Sequence, residues 1–179
     1  MVSIVIIADD LTGACDTGVK LAHLGYDSQV LTTVNSIEKV QLQSNACYTL
    51  NTNSRGMTAQ LAYQTLKEMA CSLKSLENIK CYKKIDSVLR GNIGSEIDAL
   101  LEVLEYEFCV IAPSLPNSGR TLKNGMLHVN NNGEKHSISA VDTIAATTKS
   151  KCCGVGIEHV RAGEQALIHI IEELAATGN

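Results

Sequence analysis

The chain has 179 residues, of which 45% are hydrophobic and 19% charged, with a formal net charge of -4. That length suits one domain with a sizeable buried core, and the composition is that of an ordinary globular protein. Aromatics make up only 3% and Trp is absent, which excludes a base-stacking platform; the acidic balance also lacks the basic footprint of a nucleic-acid binder.

The apolar run Ser3–Ala8 is too short to span a membrane and has no basic n-region of a secretory signal. It predicts a first strand, and with it a cytoplasmic protein without a membrane partner. The run meets Asp9-Asp10, after which Val19, Leu21, Ala22 and Leu24 predict a helix closed by Gly25. Strands are expected at Ser28–Thr32 and Ala46–Leu50, the second leading into Asn51-Thr52-Asn53-Ser54-Arg55. A helix over Thr58–Leu73 places Leu61, Ala62, Thr65, Leu66 and Met69 on one face. Asn78–Tyr82 reads as a fourth strand and Phe108–Ala112 as a fifth. Between Leu122 and Ile138, alternating apolar residues and Asn130-Asn131-Asn132-Gly133 predict a hairpin insertion. A sixth strand over Cys153–Ile157 and an amphipathic helix over Glu164–Ala176 complete the reading.

Strands alternating with helices predict an α/β three-layer sandwich with a mostly parallel sheet. Ligands in such sheets bind at the carboxyl ends of the strands. Four polar clusters follow predicted strands directly: Asp9-Asp10, Asn51–Arg55, Lys83–Arg90 and Pro113–Arg120. All four are therefore expected on one rim.

The segment KKIDSVLRGNIGSE at 83–96 concentrates the chemistry. Lys83, Lys84 and Arg90 surround Asp86, a carboxylate that such cations keep ionised. Gly91 and Gly94 allow close backbone approach to a ligand, and Ser95 with Asp98 resembles a capping box. A helix N-terminus beside fixed cations favours anions. Asp9 or Asp10 at a strand end could orient or deprotonate a hydroxyl, whereas Asp16 reads as a helix cap. Arg55 offers a planar fork suited to a carboxylate. Asp9-Asp10 also invites comparison with aspartyl phosphatases, whose D-x-D spacing it lacks. Cys15 could act as a nucleophile, but no base lies beside it in sequence. The seven cysteines form no C-x-x-C pair, the five histidines show no metal-ligand spacing, and no G-x-x-x-x-G-K-[ST] loop is present. Buried reduced thiols, no metal site and no nucleotide site are expected.

Five runs together resemble the four-carbon acid sugar kinases: ADDLTGACDTG at 8–18, NTNSR at 51–55, KKIDSVLRGNIGSEIDALL at 83–101, PSLPNSGRTLKNG at 113–125 and HVRAGEQAL at 159–167. The resemblance covers nearly the whole chain and is to the amino-terminal, sugar-acid-binding domain of those enzymes. It implies that residues 1–179 form that domain, without the family's carboxyl-terminal nucleotide-binding domain. It further implies a threonate, erythronate or 3-oxo-tetronate substrate, with ATP and Mg2+ used by the full enzyme and neither bound by this chain alone. Asp86 and Asp10 would be catalytic. Asp9, Asp10, Arg55, Lys84, Ile85, Asp86, Ser87 and Arg90 would bind substrate, with Arg55, Lys84 and Arg90 on the carboxylate and Asp86 and Ser87 on hydroxyls. The family usually reads D-T-D-S-R where this chain has Asn51 and Asn53, which removes negative charge from the rim. A missing nucleotide-binding domain and a second copy in a homodimer are the partners this reading allows. Its alternatives are a stand-alone sugar-acid-binding module and a phosphatase-like hydrolase.

Overall fold

The computed structural model describes residues 3–33, 37, 40, 43–76 and 78–176. Four parallel strands form the main sheet: β1 (Ser3–Ala8), β2 (Asp27–Leu31), β3 (Ala46–Asn51) and β4 (Ile79–Lys84), in the order β2-β3-β1-β4. Helix α1 (Leu11–His23) covers one face. It approaches closely because Gly13, Ala14 and Gly18 form its buried stripe; a Cβ at Gly18 would stand 3.1 Å from the Ser28 and Thr49 hydroxyls. The apolar stripe expected at Val19 and Leu24 is instead exposed. Sheet contact here is made by small residues.

Helices α2 (Ala59–Lys74) and α3 (Ile93–Leu104) cover the other face. Val5, Ile7, Tyr48 and Leu50 of the sheet pack with Leu66, Met69, Ala70 and Leu73 of α2 and with Ala99 and Leu100 of α3. Burying each such large side chain contributes about 1.5–3 kcal/mol. Leu61, expected on this face, is exposed. The three predicted layers are present.

A second, antiparallel sheet follows: β5 (Arg120–Lys123), β6 (Met126–Asn131) and β7 (Glu134–Ser139), which elaborates the expected hairpin. Its Leu127 and Val129 join Ala140 and Ile144 of helix α4 (Ala140–Ala145) against Leu89, Ile93 and Ile97. The Lys84–Asn92 loop is thereby held from below by the small sheet, with Ile85, Val88 and Leu89 as its apolar side. Helices α5 (Ile157–Arg161) and α6 (Glu164–Ala176) pack on each other.

Two expected strands are not formed. Residues 108–112 are irregular: Ile111 packs against the second core while Phe108 and Val110 are exposed, so the apolar run has no ladder partner and β4 remains an edge. Residues 151–156 are also irregular, and Ile157 begins α5. Gly154 and Gly156 offer no side chains to pack, which weakens a strand, and Gly156 instead caps α5. The thiols are all free, yet only Cys47 is fully buried; Cys15, Cys71, Cys109 and Cys153 are exposed. Burial pushes the Cys47 thiol up and that of Cys81 up to about 11. Among the described residues no helix is long and apolar enough to cross a membrane.

Candidate functional site

The parallel sheet brings three of the four polar clusters to one rim. Asp9 and Asp10 leave β1, Arg55 follows β3, and Asp86 follows β4. Asp10 is the N-cap of α1, its carboxylate accepting from the Gly13 amide at 2.8 Å. Asp16, the expected cap, lies further along that helix and pairs with Lys20 at the surface. The fourth cluster lies on other ground. Pro116–Ser118 form a short 3-10 turn and Arg120 opens β5, donating to the Ser118 carbonyl. His159 sits on α5 beside Glu158.

Arg55 organises the cluster. Its Nε and Nη2 grip Asp9 at 2.7 and 2.9 Å, its Nη1 reaches Asp10 at 2.6 Å, and Nη2 lies 3.7 Å from Asp86. The bond to Asp9 raises the arginine's already high pKa against the cost of burial. Asp9 is buried, whereas Asp10 is partly open. The turn that places Arg55 is pinned by backbone bonds from Thr52 to Ala8 and from Arg55 to Asp9.

Asp86 occupies a tight turn closed by the Leu89 amide on its carbonyl. Leu89 adopts a φ of 62° and buries its side chain in the second core. Such a left-handed leucine costs about 1–2 kcal/mol, offset here by burial. The turn aims the Val88 and Arg90 amides at Asp86, and the Arg90 guanidinium adds bonds of 3.0 and 2.7 Å. Burial alone would raise the Asp86 pKa. The Arg90 side chain and the two amides outweigh it and bring the carboxyl down to about 2. Ser87 is half-buried in the same turn, and Ile85 packs toward the second core while its carbonyl accepts from Lys84 Nζ at 2.7 Å.

The two lysines separate by strand parity. Lys83 lies beside Ile7 in register and points to the α2–α3 face, where its ammonium meets Glu96 at 2.8 Å. Lys84 lies beside Ala8 and points to the α1 face, near Gly13. Among the described residues no carboxylate stands within ion-pair distance of Lys84, although both arginines are committed.

The family description "Sugar-binding N-terminal domain" matches residues 4–179. The chain belongs to the four-carbon acid sugar kinase family, as its sugar-binding domain. It is 32% identical over 187 residues to a D-erythronate kinase of Heliobacterium modesticaldum, covering 96% of this chain and 42% of that protein. It is 36% identical over 127 residues to a D-threonate kinase of Salmonella typhimurium, covering 70% and 29% respectively. A solved Salmonella typhimurium structure, described as a putative tRNA synthase, superposes with a TM-score of 0.84 at 25% identity, over 99% of this chain and 46% of that one. The sugar-binding domain thus spans less than half the length of these relatives.

Sequence reasoning missed Glu96 of the sugar-binding domain, a buried carboxylate that accepts from the Ser54 hydroxyl and pairs with Lys83. Its signal was available: a glutamate amid the apolar residues of α3, one turn from Asn92. The capping box expected at Ser95 and Asp98 is not formed. Asn92 is the N-cap, Ser95 donates to the Thr147 carbonyl, and Asp98 gathers Thr148, the Lys149 amide and Ser150. Gly94 serves the same contact, since a Cβ there would meet Ile144 O and Thr148 N at 2.6 Å.

The carboxylate oxygens of Asp9, Asp10 and Asp86 accept from guanidinium and amide donors, and among the described residues no group of three or more His, Cys, Asp or Glu is placed to hold a metal.

Proposed function

We propose that this domain binds a four-carbon sugar acid (threonate, erythronate or 3-oxo-tetronate) as the phosphoryl acceptor of an ATP-dependent kinase. The observation that carries the reading is Lys84, a half-buried cation without a carboxylate partner among the described residues, beside carboxylates that are themselves held in place. An aldonate presents one carboxylate and a row of hydroxyls. Lys84 takes the carboxylate, assisted by the outer edge of Arg90. Asp86 and Ser87 take hydroxyls. A carboxyl brought down to about 2 is a good fixed acceptor and a poor proton abstractor, because a general base works best near the working pH. Asp10, partly open at the mouth of α1, is the carboxylate that orients and deprotonates the accepting hydroxyl. Arg55 is spent on Asp9 and Asp10 and serves the site by fixing them. Phosphoryl transfer is chiefly positioning and charge stabilisation, so this domain supplies acceptor geometry and the donor is held elsewhere.

The hydrolase reading has less support. Both Asp9 oxygens accept from Arg55 and the residue is buried, so it is not open to attack phosphorus. The adjacent pair also lacks the D-x-D spacing of the aspartyl phosphatases.

Calorimetric titration tests the proposal. The protein is expected to bind D-threonate or D-erythronate and to ignore threitol and erythritol of the same carbon count. Lys84→Met should weaken the acid by about tenfold to a hundredfold, the worth of a charge-assisted hydrogen bond. Equal binding of acid and polyol would refute the assignment of Lys84.

A further inference from the structure

We infer that Glu96 is the positioning residue of this site, anchoring through Ser54 the loop that delivers Arg55 to Asp9 and Asp10; the functional part of this inference rests on the sugar-acid reading above. Glu96 lies in the first turn of α3 with 1% of its surface exposed. One oxygen stands 2.8 Å from Lys83 Nζ, on a side chain only 7% exposed, and the other accepts from the Ser54 hydroxyl. Ser54 is wholly buried, 2.7 Å from the Thr52 hydroxyl, which donates to the Ala8 carbonyl at 2.9 Å. Asn92 adds two bonds to the same loop, at 3.1 Å to Ser54 O and 2.9 Å to Met57 O. The loop after β3 is therefore tied to the ends of β1 and β4 and to the start of α3.

A buried ion pair is a costly way merely to dock a helix on a strand. Desolvating two charges offsets their attraction, and an apolar pair of equal volume commonly holds as well or better. What an apolar pair cannot do is accept from Ser54. The next residue is Arg55, whose amide bonds to Asp9 O at 3.2 Å and whose fork must stay registered on Asp9 to keep both contacts. Two-point guanidinium pairs require held geometry, and such geometry depends on the residues packed behind it. The order of dependence runs Lys83, Glu96, Ser54, Arg55, and then Asp9 with Asp10.

The variants Ser54→Ala, Glu96→Gln and Lys83→Met/Glu96→Leu separate positioning from stability. Two quantities are read in the ligand-free protein: the thermal midpoint, and the rate at which the Arg55 Nε–H exchanges with water by NMR. Glu96→Gln keeps an acceptor for Ser54 but strands the Lys83 charge, so the midpoint should fall by several degrees while Arg55 exchange is unchanged. Lys83→Met/Glu96→Leu removes both charges and the anchor, so the midpoint should stay close to the wild type while Arg55 exchange rises on the order of tenfold or more. Ser54→Ala, the mildest change, should also speed exchange and should weaken D-threonate and D-erythronate. A purely structural Glu96 would make exchange follow the midpoint across all three variants; that pattern, or unchanged exchange in Ser54→Ala, overturns the inference. Because exchange is read without ligand, a wild-type protein that binds neither acid defeats the functional reading and leaves the positioning result standing.

Discussion

Arg55 and Asp9, 46 residues apart in sequence, meet in a two-point ion pair of 2.7 and 2.9 Å at the mouth of the parallel sheet. The pairing gives the rim its shape, because the same guanidinium reaches Asp10 at 2.6 Å. It also gives the rim a vulnerability, because Asp9 is only 2% exposed and cannot turn to water if its partner is lost.

Arg55→Ala is accordingly expected to destabilise the domain by about 3–5 kcal/mol, the cost of stranding a buried charge. Arg55→Lys should cost less, since an ammonium can satisfy Asp9 or Asp10 but cannot reproduce the planar fork. Urea unfolding ranks the two. A lysine variant as damaging as alanine would show that the fork, rather than the charge, carries the stabilisation.

Asp86 sets an acid limb on stability. Its carboxyl sits at about 2 in the folded protein, against an ordinary value of 3.8. A depressed carboxyl contributes stability that is fully present above the unfolded value and is lost as pH falls from 3.8 toward 2. The depression corresponds to about 2 kcal/mol at most, and salt reduces it because Arg90 is exposed. Unfolding curves for the wild type and Asp86→Asn should therefore lie furthest apart near neutral pH and converge as the pH approaches 2. Parallel curves over that window would contradict the assignment.

Two glycines of one segment should respond differently to alanine. Gly91 has a φ of +93°, and a Cβ there would lie 3.1 Å from Asp9 Oδ2 and 3.5 Å from Arg55 Cγ, so the strain lands on the ion pair itself. Gly94 has no such backbone demand and lies in α3, where alanine ordinarily stabilises a helix by about 1 kcal/mol. Here the added carbon would meet backbone atoms of Ile144 and Thr148, so the sign should reverse, with a loss of about 1–3 kcal/mol from overpacking. Gly91→Ala should reduce sugar-acid affinity more than its thermal midpoint suggests, and Gly94→Ala the reverse.

The rim was legible in the sequence because each strand ends in its own polar residues, and parallel strands bring their ends together. The separation of Lys83 from Lys84 by strand parity was not read from the sequence: Lys83, expected around Asp86, points to the other face of the sheet and meets Glu96. The partners of the arginines were not legible. Arg55 carried the signature of a carboxylate reader, and nothing local in its sequence says that Asp9 and Asp10 already occupy it. Asp98 was misread for the same reason: three residues from Ser95 it imitates a cap, while its true partners lie some fifty residues away at Thr148–Ser150. Segments 108–112 and 153–157 failed differently. An apolar run fixes burial preference, but a strand also needs a neighbour in register, and tertiary context supplies none to Phe108 and Val110.

The last expectation concerns turnover. This chain, supplied with ATP, magnesium and a panel of threonates and erythronates, is expected to bind the acid weakly and to form no acid-sugar phosphate. Among the described residues no group of three or more His, Cys, Asp or Glu is placed to hold a nucleotide-bound cation. No Gly-rich phosphate loop is present in the sequence. The relatives named as kinases are more than twice as long as the stretch matched here. A kinase must also close around its substrates to exclude water and align donor with acceptor, which one rim cannot do alone. Adding the carboxyl-terminal half of a related enzyme in trans should restore phosphorylation, read by mass spectrometry, and Asp10→Asn should abolish the restored activity. Multiple turnovers by the chain alone would show that a donor site exists on it and that the division of labour proposed here is wrong.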